Sequence, residues 1–150
     1  MIKGKIVLAP FPFTDLSSTK VRPVLCLSEH IGSHNQIIVA FISSKVEKDA
    51  VDTDIVLDTE SDWFSQTGLK VKSVLKLHKL VTTERAFIRQ KLGELPAFIL
   101  KDVDEKLKIL FGIDQNGIGY GDYSKEREEL LKNETMETVM ARIKARRKEQ

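Results

Sequence analysis

PFPFTDLSSTKVRPVLCLS, Pro10 to Ser28, sets two phenylalanines among prolines, then a polar loop, then one arginine joined to a proline at the head of an apolar run. Before it, KIVLA (Lys5 to Ala9) is apolar and short, and Pro10 should stop it. After it, Val21 to Leu27 is β-branched and leucine-rich. The reading is therefore strand, loop Thr14 to Lys20, strand. Pro23 sits near the start of the second strand, where one missing N–H is tolerated. Arg22 then carries a permanent charge where a turn gives way to a buried strand.

The same pattern continues outward. HIGSHNQ (His30 to Gln36) is a turn cluster. QIIVAFISS, from Gln36, is an unbroken apolar run, as in a strand buried on both faces. DTDIVLD (Asp52 to Asp58) is a further strand. Ser61 to Gly68 is a loop with one helical turn around Asp62, Trp63 and Phe64. SVLKL (Ser73 to Leu77) alternates, as a half-exposed strand would, and Leu80 to Thr83 extends it. Glu84 to Leu92 reads as a tight turn and a short strand. A helix starts at Leu95: Phe98, Ile99, Val103, Leu107, Leu110 and Phe111 share one face, Pro96 suits the first turn and Gly112 the stop. Many short strands and one packing helix imply a mainly β, α+β fold: a small barrel crossed by a helix.

Asp114 to Glu126 is glycine-rich and reads as a linker. Beyond it Met136, Val139, Met140 and Ile143 repeat at helical spacing, with Asn133 as the expected cap and Glu134 and Glu137 near the positive end. The expected organisation is a barrel domain over 1–113 and a linker with a charged helical tail over 114–150.

The chain has 150 residues, 41% hydrophobic and 31% charged, with a net charge of +2. That is ordinary for one globular domain, and nucleic acid as a partner would require a local basic patch. One cysteine excludes an internal disulfide, and with three scattered histidines no zinc spacing appears. No apolar run approaches membrane-spanning length and the amino terminus goes straight into a strand pattern, so the expected compartment is the cytoplasm. Phosphate-cradling glycine loops, a nucleophile elbow and paired metal-binding histidines are all missing from the sequence.

Chemistry must then come from separate segments meeting at strand ends. Arg22 offers a planar fork of donors for phosphate oxygens, although position alone favours a surface arginine bridging an acid such as Asp15. Ser43 and Ser44 end the run AFI, where a hydroxyl either donates to an anion or caps a loop. His78, between Lys76 and Lys79 in KLHKL, offers proton transfer near neutral pH or is an exposed histidine on a polar strand face. Cys26 reads as core, Trp63 and Phe64 as pins for a loop, and His30 and His34 as solvated turn residues.

Taken together the segments resemble the MazF/PemK family of toxin endoribonucleases. GKIVLAPFPFTDL, a polar loop and KVRPVLCLS match its opening, with an RP dipeptide leading the second strand. IIVAFISS resembles its third strand, and TGLKVKSVLKLHKLVTTERAFIRQKLGEL its serine-led strand, threonine-bearing strand and short return. The resemblance runs from about Gly4 to Gly112. It implies a small SH3-like (CcdB/MazF-like) barrel with a packed C-terminal helix, to which this chain adds a helical tail. It also implies a homodimer, metal-independent and cofactor-free cleavage of single-stranded RNA, and a cognate antitoxin.

By the resemblance Arg22 matches the catalytic arginine and Ser43 the catalytic threonine. His78 lies near a position where some members carry an acid used in proton transfer. Phe11 to Lys20 matches the mobile loop beside the RNA groove. Phe11, Phe13, Lys20, Ser44, Lys76 and Lys79 are the candidate RNA contacts. Serine at 43 and histidine at 78 depart from the family pattern. Two other readings stay open: a non-catalytic barrel that inhibits a protein target, as gyrase-inhibiting relatives of this architecture do, and a catalytically weakened RNA-binding module.

Overall fold

A computed structural model describes residues 1–12, 19–46, 50–113, 124–133 and 135–149. It divides into two compact units, Met1–Phe111 and Gly112–Gln150. The first unit is built on six antiparallel strands: β1 (Lys5–Pro12), β2 (Thr19–Cys26), β3 (Gln36–Ser43), β4 (Asp54–Leu57), β5 (Ser73–Glu84) and β6 (Gln90–Glu94). Their order across the sheet is β4-β5-β3-β2-β1-β6. The helix α1 (Ala97–Phe111) follows β6.

The prolines show how the ladder is arranged. β1 does not stop at Pro10 but runs on to Pro12. It can do so because β6 pairs only with Lys5 to Leu8, so past Leu8 the far side of β1 has no ladder to lose. Pro23 is placed the same way: β2 pairs with β3 only at Val24, Leu25 and Cys26. Both prolines thus occupy local edges inside an otherwise paired sheet.

β5 is one strand of 12 residues rather than two pieces, with an irregularity in the middle. Ala40 of β3 faces Leu80, while the next residue, Phe41, faces Lys76. Leu77, His78 and Lys79 are therefore extra residues that bend β5, whose first half lies between β3 and β4 and whose second half pairs with β3. The expected half-exposure of SVLKL is wrong: Ser73 to Leu77 are all buried, Lys76 included. β5 lies between β3 and β4, and Asp54 of β4 stands directly opposite Lys76.

After β4 a 3-10 turn, Phe64–Thr67, packs against β6. The fit leaves no room for side chains. A Cβ on Gly68 would lie 2.1 Å from the Leu92 carbonyl oxygen, and one on Gly93 2.1 Å from that of Gln66. Gly68 also has φ 69°. This backbone contact links the two ends of the open sheet, the result being a half-barrel.

Each face of the sheet carries its own apolar cluster. Ile6, Leu25, Ile42, Ile55, Leu75 and Leu77 pack with Leu95, Ile99 and Val103 from the α1 side. Val7, Ala9, Phe11, Val24, Cys26, Ile37 and Val39 form the second cluster. The helix does not bury its whole expected stripe: Phe98 and Phe111 are more than half exposed, Phe98 resting edge-on against Trp63. Gly112, at φ 68°, ends α1 as expected.

In the second unit, α2 (Ser124–Asn133) begins within the stretch read as linker, and α3 (Met136–Lys148) follows. Asn133 closes α2 and does not cap α3. The cap is Thr135, whose hydroxyl accepts from the Thr138 N–H at 3.3 Å. Glu137 occupies the first turn of α3, and Glu134 lies outside the described residues.

Candidate nucleic-acid site

The strand ends around β2 and β3 enclose an open cavity of about 680 Å³. Arg22 reaches it from β2, Ser43 and Ser44 from the end of β3, and Lys79 from the irregular segment of β5. Arg22 and Ser43 share this cavity because their strands part here. The β2–β3 ladder ends at Val24 and Phe41, and Arg22 and Ser43, each two residues beyond that last pair, both line the cavity that opens there. Pro23 fixes its own φ and biases Arg22 toward extended backbone.

Lys45 and Lys70 also line the cavity. Four cations therefore surround it and, among the described residues, no carboxylate does. An anionic ligand gains attraction from every side here and meets no like charge. Ser43 is buried, and its hydroxyl accepts from the Lys45 N–H at 3.1 Å and reaches the Lys45 carbonyl at 3.3 Å. The short loop after β3 thus fixes the serine. A stronger acceptor in the cavity would compete only with the longer, weaker of these two bonds.

The aromatic expectations come out differently. Phe11 is buried in the second cluster, its ring 4.9 Å from that of Phe41. It cannot stack on a base from there; it supports Phe41, which is half-buried and lines the cavity. Lys79 Nζ lies 5.7 Å above the Phe41 ring. Phe13 and most of the loop from Thr14 to Lys20 lie outside the described residues. Lys20 is exposed on β2 and is not part of the cavity wall.

Lys76 and His78 are also absent from that wall. The Lys76 ammonium lies 3.2 Å from Asp54 Oδ2, with both side chains 4% exposed. It is a buried structural cation, unable to meet a strand of RNA from that position. His78 is exposed, with Nδ1 3.8 Å from Asp54 Oδ1. Asp54, Phe41, Lys45 and Lys70 are the residues that sequence reasoning passed over. Asp54 gave no signal, since an acid at a strand start looks solvated. Phe41 did give one, as the aromatic two residues before the serine. Among the described residues no three His, Cys, Asp or Glu side chains gather as a metal site requires.

Comparison with solved structures agrees on architecture. A toxin MazF-mt6 from Mycobacterium tuberculosis superposes with a TM-score of 0.56 at 23% identity, covering 73% of this chain and 98% of its own. A MazE-MazF crystal structure from Deinococcus radiodurans gives 0.57 at 21% identity, covering 76% and 97%. An endoribonuclease in complex with its cognate antitoxin, from a mycobacterial species, gives 0.54 at 13% identity, covering 76% and 97%. Among curated proteins no match was found. The family model for the PemK-like, MazF-like toxin of type II toxin-antitoxin systems matches residues 2–111, nearly the whole first unit. A match over more than half the sequence places this chain in the PemK-like, MazF-like family of type II toxins.

Proposed function

We propose that the chain is a toxin of a type II toxin-antitoxin system that acts as a sequence-specific endoribonuclease on single-stranded messenger RNA. It would work as a homodimer in the cytoplasm and be held inactive by a cognate antitoxin. The observation that carries this reading is the cavity lined by Ser43 and by four cations, Arg22 among them, and, among the described residues, by no acid. Family membership and the neighbours named as an endoribonuclease and as a MazE-MazF complex support it.

RNA brings its own nucleophile. Removal of the 2′-hydroxyl proton lets that oxygen attack the adjacent phosphorus. The bond from phosphorus to the 5′-oxygen breaks, that oxygen takes a proton, and a 2′,3′-cyclic phosphate and a 5′-hydroxyl remain. The protein's task is to hold the strand and stabilise the added negative charge. Arg22 supplies fixed donors where that charge accumulates. Ser43 donates to the same phosphate, and Lys45, Lys70 and Lys79 hold the strand electrostatically. Phe41, with Phe11 against its ring and Lys79 above it, offers an apolar edge to a base. His78 is the acid–base candidate; a protonated ring there would sit beside the Asp54 carboxylate.

Long single-stranded RNA incubated with the protein in EDTA should be cut to fragments with 5′-hydroxyl ends. Arg22→Ala should slow cutting by about two to three orders of magnitude, as loss of a transition-state donor does, and so separate the activity from any contaminating nuclease. Ser43→Ala should cost on the order of ten- to a hundredfold, the worth of one hydrogen bond to a charged group. Because the Ser43 hydroxyl is already engaged by Lys45 and His78 stands off the cavity, a weakened RNA-binding module is the second reading. RNA that is bound but uncut supports that module. Neither binding nor cutting points to a protein target.

A further inference from the structure

The second unit lies beyond the family match, which ends at residue 111. It carries eight Lys or Arg and eight Asp or Glu, so it has no net charge. The charges are not mixed, however. Arg142, Lys144, Arg146, Arg147 and Lys148 put five cations in seven residues at the end of α3. Lys144, Arg146, Arg147 and Lys148 are exposed. A helix macrodipole favours cations in its last turn, which accounts for Arg146, Arg147 and Lys148 but not for a run that starts a turn earlier.

Spacing distinguishes the anionic partners such a run would suit. At about 100° per residue, positions 142, 144, 146, 147 and 148 are distributed around the whole helix rather than along one side. A helix lying on a lipid surface needs its cations on the face opposite its apolar one. Here Arg147 falls on the same side as Met136, Met140 and Ile143. A basic cylinder suits instead a flexible polyanion, whose phosphates can approach from any direction.

We propose that the last two turns of α3 are a sequence-independent binding element for single-stranded RNA, contacting its phosphates through Lys144, Arg146, Arg147 and Lys148. This deepens the proposed function and rests on RNA being the substrate. Tethered to the toxin unit, the element raises the effective concentration of the strand without reading its bases.

The test uses the full chain and a labelled single-stranded RNA oligonucleotide, with binding followed by anisotropy across a salt series. Each phosphate contact to a single strand contributes about 0.7 to the slope of log K against log salt. The combined substitution Lys144→Gln, Arg146→Gln, Arg147→Gln and Lys148→Gln should lower that slope by about 2 to 3 and weaken binding roughly tenfold at low salt, alike for unrelated sequences. Single-turnover cutting at saturating RNA should not change. Unchanged affinity and slope would overturn the inference. So would a variant that keeps its RNA affinity but loses co-sedimentation with phosphatidylglycerol vesicles, since that outcome assigns the cations to a membrane surface. If the variant loses helix by circular dichroism, titrating the wild-type chain with RNA and following backbone amide shifts decides instead: shifts at 142–148 support the element, and silence there removes it. Arg22→Ala separates this inference from the proposed catalysis. That variant should lose cutting yet keep the tail-dependent part of the slope, whereas a wild-type chain that binds through the tail but never cuts would refute the nuclease alone.

Discussion

Lys76 and Asp54 hold opposite charges together inside the sheet, 3.2 Å apart and almost wholly shielded from water. Such a pair is costly to break from one side, because the remaining ion keeps its desolvation penalty and loses its partner. Lys76→Met should therefore destabilise the protein by about 3 to 5 kcal/mol in urea unfolding. Adding Asp54→Leu should recover most of that loss, since two apolar residues of similar size replace the pair. A double variant as unstable as the single one would mean that the carboxylate is not what the lysine satisfies. The pair also marks a limit of local reading. KLHKL alternates as a half-exposed strand should, and nothing beside it in the sequence contradicts that. The deciding neighbour is 22 residues away on another strand. Arg22 was legible only in part: the following proline favours its extended backbone, but β2 begins at Thr19, so Arg22 stands inside the strand opposite Ala9 of β1 rather than at the end of a turn.

Elements with strong periodicity were readable in type and place, α1 starting at Ala97 rather than Leu95, and those defined by a contact were not. β3 followed from its unbroken apolar run, and α1 from its spacing, its proline and its glycine. The bend of β5 did not follow, because the irregularity belongs to its pairing with β3 and not to its own composition. The contact between the 3-10 turn and β6 is of the same kind, and its glycines gave no pattern. Gly93→Ala pushes a methyl group into the Gln66 carbonyl, so either the turn or the strand must move. A loss of about 1 to 3 kcal/mol is expected, as for other overpacked sites. Gly112→Ala is the control for backbone strain alone: it has a positive φ but open space around it, and should cost only about 1 to 2 kcal/mol of left-handed strain. Gly93→Ala should also disturb the cavity, because Leu92 and Gly68 both line it. A Gly93→Ala protein with wild-type midpoint and RNA affinity would show that this junction does not close the half-barrel.

At the scale of the molecule, one sheet supports two apolar clusters, and the candidate cavity opens where β2 and β3 part, with Arg22 and Ser43 in neither cluster. Cys26 reports on the second of these clusters. It has no exposed surface, and burial pushes its thiol up from 9.0 to about 11, with the nearby Glu29 carboxylate adding to the effect. The neutral thiol is thus the form that the folded state prefers. Between pH 9 and about 11 the unfolded chain has released this proton while the folded chain still holds it, so stability falls as pH rises through that window. The loss across it should come to about 2 kcal/mol. Urea midpoints of the wild-type chain and of Cys26→Ala, followed from neutral pH up through that window, should therefore converge: the alanine variant starts lower because of its cavity but lacks the alkaline loss. Parallel curves would show that the thiol ionises freely in the folded state, and that the cluster joining β1, β2 and β3 is open to water.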